Sequence, residues 1–195
     1  LKTFAETGAQ NFALLDVLDQ QLVKPGGYIF DKRKEFLISF LPMVKHLYLD
    51  IAKQQEDISL FYESELLQAS FGELLKATRQ KDCYAQRTTT GTHRDNIEIN
   101  LGSQSFRSIA SQGQRKSLLF AFKLAEMEVL KKEKSFPPLL LLDDVFEKLD
   151  EDRISNLLQK VCIENDGQVF ITDTNEQRLV THLKQIAVDF QMITL

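Results

Sequence analysis

Four leucines, Leu139 to Leu142, stand between Pro137-Pro138 and Asp143-Asp144. An apolar run this short, bounded by two prolines on one side and two carboxylates on the other, reads as a buried parallel strand. A helical pattern from about 112 to 132 precedes it. After it come helical spacing at Ile154, Leu157, Leu158 and Val161, an apolar strand from Val169 to Thr172, helical spacing from Leu179 to Ile186, and alternation at Val188, Phe190 and Met192. Strand, helix, strand, helix, strand predicts a parallel-type sheet with helical crossovers. Ligands of such a sheet bind at the carboxyl ends of its strands, so Asp143 and Asp144 are the first candidates for chemistry.

The earlier part of the chain has a different texture. Leu14, Leu15, Leu18 and Leu22 predict a helix over 11–23, which Pro25-Gly26-Gly27 is expected to break. Phe36, Phe40, Val44, Leu47 and Ile51 form the stripe of a second helix over 28–54, with Pro42 marking a kink or boundary. Ile58, Leu60 and Tyr62 alternate as a short strand, and Leu66, Leu67, Phe71, Leu74 and Leu75 return to helical spacing over 63–80. Thr88-Thr89-Thr90-Gly91 reads as an extended connection. Ile97, Ile99 and Leu101 then alternate before Gly102-Ser103 turns the chain back toward Phe106 and Ile109, a hairpin signal. The division this predicts is a helical subdomain over 1–84 and an α/β lobe over 85–195.

Composition narrows the function classes. With 195 residues, 43% hydrophobic and 27% charged, the chain can bury a sizeable core. No apolar run approaches the roughly 20 residues of a membrane span, and no signal peptide opens the chain, so a cytoplasmic protein is expected. Cys83 and Cys162 form neither a disulfide framework nor a zinc pattern. The net charge of −4 argues against indiscriminate nucleic-acid binding. Yet residues 76–134 carry 12 basic and 6 acidic side chains. That basic segment, with Arg79, Lys81 and Arg87, fits a localised phosphate-binding surface as well as an ordinary solvated face.

Three short blocks carry the chemistry. Ser111, Gln112, Gly113 and Gln114 open the helix before the leucine strand. A serine cap leaves helix N–H groups and the positive dipole end available, and a glycine lets a phosphate approach the backbone closely; the same residues also fit a plain capped helix. Asp143 and Asp144 suit one carboxylate that orients Mg²⁺ on nucleotide phosphates and a second that positions attacking water. As loop aspartates they also fit helix caps, and it is their spacing from the upstream block and from Leu149-Asp150 that favours the first reading.

Ser-Gln-Gly-Gln, the leucine strand with Asp143-Asp144, and Glu147-Lys148-Leu149-Asp150 resemble the signature loop, Walker B strand and D-loop of an ABC-type ATPase head. Gly91-Thr92-His93-Arg94-Asp95 is similar to a Gly-Pro-His-Arg-Asp segment of the RecF family. Gln168 to Thr172 resembles that family's strand after Walker B, and Asp-Asp in place of the Asp-Glu of transporters and SMC heads favours the same family. The likeness covers nearly the whole chain. Thr92 stands where the family has proline, Ala110 where leucine precedes the signature serine, and Glu147 where the D-loop commonly has serine. No histidine stands directly after the 168–172 strand, which leaves Thr172 or Thr174 for the switch position.

The resemblance implies the C-terminal lobe of an ABC-type ATPase head, SMC-like, plus the family's helical second domain. No Lys-Ser or Lys-Thr pair here follows a glycine-rich loop, so the phosphate loop is expected in an N-terminal lobe preceding Leu1. It further implies ATP and Mg²⁺ as cofactors, with Asp143 on the metal and Asp144 on water. Ser111, Gln112, Gly113 and Gln114 would act in trans on a partner's ATP, and Leu149 and Asp150 would form the D-loop. His93 is either a structural histidine or, with Arg94, faces phosphate or an interface. The family setting is DNA repair, recombination and replication and the SOS response. It involves ATP-dependent homodimers on double-stranded or gapped DNA, RecO and RecR as partners, and RecA loading at single-strand gaps. The fragment alone is expected to be inactive. Two other readings use the same residues: a metal-dependent nuclease of the overcoming-lysogenization-defect kind, with Asp173 as a further carboxylate, and a non-catalytic module that binds DNA or a partner.

Overall fold

The computed structural model describes residues 12–53, 55–134 and 136–193. It is a mixed α/β chain that divides into two compact units. The described residues up to Leu41 with Leu60–Ile99 form one, and the described residues of Pro42–Ser59 with those from Asn100 onward form the other.

Helix α1, Phe12–Ala52, runs without interruption through Pro25-Gly26-Gly27 and Pro42. The expected break and the two separate helices are therefore corrected to one. A helix-interior proline costs about 3 kcal/mol, and packing on the flank outweighs it. A Cβ built on Gly26 would stand 2.3 Å from the Phe71 ring, so glycine here lets a buried aromatic lie directly on the helix backbone. The other side of that ring meets Gly91, whose φ of +115° excludes most other residues and where a Cβ would come within 2.7 Å.

Strand β1, Ile58–Glu63, falls where alternation predicted it. The helix expected over 63–80 is instead a 3₁₀ turn at Glu65–Leu67 followed by α2, Phe71–Ala85. The start is set by a capping box. Ser70 accepts from the Glu73 N–H while the Glu73 carboxylate accepts from the Ser70 N–H. Strand β2, Asn96–Leu101, pairs antiparallel with the two-residue β3, Gln104–Ser105. The chain then coils into α3, Phe106–Ile109. The three strands lie in the order β1-β2-β3.

Helix α4, Gln112–Lys134, leads to β4, Leu140–Leu142. Helix α5, Glu151–Leu158, continues as a π-helical turn over Gln159–Ile163 before β5, Val169–Ile171, and α6, Glu176–Gln185. β4 and β5 are parallel, with Leu141 opposite Phe170. The strand predicted over 188–192 is absent: residues 188–193 carry no regular structure. The leucine strand is also not buried on both faces, since Leu141 is 73% exposed and Leu142 only 5%. Val145, Phe146, Ile154, Leu157, Leu158 and Val161 form the fully buried core of this unit, joined by Val44, Tyr48 and Ile51 of α1. No helix of the described residues is long and apolar enough to cross a membrane.

Candidate functional site

The second unit brings the three sequence blocks together. α4 opens with a reciprocal capping box: the Gln114 N–H donates to Ser111 Oγ at 3.1 Å and the Ser111 N–H to Gln114 Oε1 at 2.9 Å. Ser111 keeps its own hydroxyl proton for another acceptor. Both Ser111 and Gln112 are exposed. Gly113 is needed for approach, because a Cβ there would lie 3.1 Å from the Lys148 carbonyl oxygen. A backbone atom cannot give way as a side chain can, so the Ser111–Gln114 turn rests directly on the loop that carries Leu149 and Asp150.

Lys116, one turn into α4, ties the same loop from the other side. Its ammonium donates to the carbonyl oxygens of Asp144 and, at 2.9 Å, Glu147. Burial lowers its pKa, against the opposing pull of the Glu147 and Asp144 charges. Asp143 and Asp144 follow β4 and are exposed. The Thr172 hydroxyl, just beyond β5, donates to Asp143 Oδ1, and the Asp144 N–H reaches toward Thr172 Oγ1 at 3.4 Å. Asp144 and Lys148 both adopt left-handed backbone, at φ of 48° and 65°. Non-glycine residues there cost free energy and persist only where their surroundings hold them; Lys116 bonds the carbonyl of Asp144 itself and that of Glu147, next to Lys148. Leu149 is buried, and Asp150 caps α5 through the Arg153 N–H at 2.8 Å. Thr174 is exposed, and Asp173 accepts from the Asn175 N–H at 2.7 Å. Among the described residues no group of three or more His, Cys, Asp or Glu stands together to hold a metal.

The remaining candidates lie in the first unit. His93 and Arg94 are exposed on a 3₁₀ turn, where His93 Nε2 lies 3.1 Å from the Thr88 carbonyl oxygen. Asp95 holds that turn by accepting from the Tyr62 hydroxyl at 2.6 Å and pairing with Arg33 at 3.1 Å. Burial, with Asp95 beside it, pushes the Tyr62 phenol up to about 12. Arg79 is paired with Asp16 at 2.7 Å and Asp19 at 2.6 Å, whereas Lys81 and Arg87 are exposed.

Sequence reasoning missed Lys116, Glu56 and Arg153. Lys116 is visible only as a cation one turn beyond the signature glycine. Nothing local marks Glu56 or Arg153, since their roles come from partners far away in the chain.

The family described as "Uncharacterised protein conserved in bacteria (DUF2326)" matches residues 72–193. The "DNA replication and repair protein RecF" of Flavobacterium johnsoniae is 36% identical over 195 residues, all of this chain and 54% of that protein. The RecF protein of Bacteroides fragilis is 38% identical over 176 residues, 90% of this chain and 48% of its own length. A solved structure of the recombination mediator protein RecF with ATP, from the RecFOR pathway, superposes with a TM-score of 0.69 at 24% identity. It covers 86% of this chain and 47% of its own, and establishes the fold. The chain spans about half the length of the curated relatives it matches. It belongs to the family of bacterial proteins described as DUF2326 and, as its motifs suggest, is a relative of RecF, matched over nearly all of its own length and about half of theirs.

Proposed function

We propose that this chain forms the half of an ATP site that closes on a partner subunit, in a DNA repair and recombination ATPase that dimerises on DNA when ATP is bound. The observation that carries this reading is the joining of the three motifs at one place. Lys116 of the signature helix bonds to the carbonyls of Asp144 and Glu147, and Gly113 lies against the carbonyl of Lys148. Ser111, Gln112, Gly113 and Gln114 would meet the γ-phosphate held by the partner, through the Ser111 hydroxyl and the free N–H groups of the first turn.

Asp143 and Asp144 are exposed oxygen donors at a strand end, and Mg²⁺ needs only one or two carboxylates beside phosphate oxygens and water, so the residues fit that ion. Asp143 would hold it, where it supplies neutralisation of phosphate charge. Asp144 orients water. Thr172, bonded to Asp143, is better placed than Thr174 to sense the γ-phosphate. Leu149 anchors the D-loop in the core, and Asp150 presents it at the head of α5. For the whole protein this reading carries the RecF setting: cytoplasmic action on gapped or double-stranded DNA alongside RecO and RecR, and delivery of RecA. Lys81 and Arg87 are candidate DNA contacts, and His93 and Arg94 candidate interface residues.

The test is DNA-stimulated ATP hydrolysis by the intact protein, with nuclease activity measured in parallel. Hydrolysis that Ser111→Arg abolishes together with ATP-driven dimers supports the half-site. Metal-dependent DNA cleavage that needs Asp143 and Asp144 without ATP would replace it with the nuclease reading.

A further inference from the structure

We infer that Glu56 is a positioning residue of this half-site, a buried acceptor that, beside the Lys116 tether, holds the signature turn and the D-loop in one fixed relation; the inference rests on the ATP half-site reading above. Glu56 lies between α1 and β1, far in sequence from every motif, and its side chain is 10% exposed. At Oε2 it accepts from Gln114 Nε2 at 3.0 Å and from the Tyr48 hydroxyl, and at Oε1 from the Arg153 guanidinium. Arg153, 8% exposed, spends its other nitrogens on Ser117 Oγ at 3.0 Å and Asp150 Oδ2 at 3.3 Å. One carboxylate thus reaches Gln114 of the signature motif directly, and through Arg153 both Ser117 of α4 and the capping aspartate of the D-loop.

The chemistry of the cluster favours orientation over stability. Buried ion pairs contribute little net stability compared with apolar packing of the same volume, whereas removing one partner leaves the other's charge exposed to a large desolvation cost. Three donors converge on Glu56, each with its direction set by the acceptor lone pairs. Burial, with Glu56 beside it, raises the Tyr48 phenol well above its usual range, so Tyr48 remains a donor at any working pH. Gln114 is the only one of these partners that also belongs to the capping box. Its Oε1 serves Ser111 and its Nε2 serves Glu56, which fixes the amide orientation and with it the entry to α4.

The experiment is Glu56→Gln in the intact protein, a nearly isosteric change that removes the charge. The expected result is a fall in kcat of roughly 10- to 100-fold, as for a modest misplacement of reacting groups, with KM for ATP unchanged and ATP-driven dimers weakened. Combined with Gln114→Ala, the two losses should not multiply. Hydrogen exchange on the chain itself gives a reading that does not need activity: amides at 111–114 and 147–150 should lose protection together while those of α6 do not change. Wild-type kcat and dimerisation in Glu56→Gln overturn the inference, and so does a loss that multiplies with Gln114→Ala or protection lost uniformly. Ser111→Arg run beside it separates the two readings. If that variant hydrolyses and dimerises normally the half-site itself fails, and if only Glu56→Gln behaves as wild type the failure belongs to Glu56.

Discussion

Single residues at the site differ in what they risk. Asp144 is exposed and bonded through its main chain, so Asp144→Asn keeps the shape and removes only the carboxylate charge. Hydrolysis by the intact protein should slow by about 10² or more while ATP-driven dimers persist, read by steady-state kinetics and sedimentation. Gly113 risks the fold as well. Gly113→Val presses a branched side chain against the Lys148 carbonyl, and thermal melts should show a loss of about 1–3 kcal/mol, the usual cost of overpacking. Tyr62 carries a pH signature. Its phenol is raised to about 12 in the folded state by burial and Asp95, from an ordinary 10. Because the folded pKa lies above the unfolded one, the contribution is fully present below pH 10 and is lost as pH rises through 12. Alkaline titration followed by phenolate absorbance should therefore show a late step that Tyr62→Phe removes.

At the level of elements, α1 and β4 show where local pattern misleads. Pro25-Gly26-Gly27 has the chemistry of a helix stop, yet the stretch is helical and the Phe71 ring, 45 positions away, packs directly on its backbone at Gly26. Gly26→Leu should therefore break or bend α1 there and lower helical circular dichroism, whereas Gly27→Ala, with nothing near its Cβ, should leave it unchanged or slightly raised. The order of elements from 112 to 185 was legible because periodicity, Pro137-Pro138 and the caps at Ser111 and Asp150 all act locally. Exposure of Leu141 was not, because an apolar run states a preference for burial and cannot say whether a partner surface is present. The site divides in the same way. Asp143, Asp144 and the signature turn follow from short motifs, whereas Glu56, Lys116 and Arg153 act through contacts between distant segments. Val188, Phe190 and Met192 alternate as a strand does, yet no neighbouring strand pairs with them among the described residues, and alternation without a ladder does not make a strand.

For the molecule as a whole, exposed apolar surface lies beside the site. Leu139 and Leu141 are 65% and 73% exposed, and a groove of about 330 Å³ lined by Leu119, Met127 and Leu130 runs beside them. Alone, the chain should fail to bind Mg-ATP in the low micromolar range by isothermal titration, because the glycine-rich phosphate loop is not among its motifs. Neutralising Lys81 and Arg87 in the intact protein should reduce the log-log salt slope of duplex binding by about 0.9 for each phosphate that is no longer neutralised, read by fluorescence anisotropy. Arg79 is a poorer probe, since its charge already holds Asp16 and Asp19 and its loss would perturb the fold. Lys116 reaches further than any of these. On the proposed half-site reading, the loop it grips would face the subunit's own nucleotide and the helix it stands on would face the nucleotide of the other subunit. If that reading holds, such a tether would make the two sites of a dimer report to each other. Turnover should then rise with ATP as a sigmoid, with a Hill coefficient between about one and two, and Lys116→Met should flatten it toward independence without abolishing hydrolysis at either site.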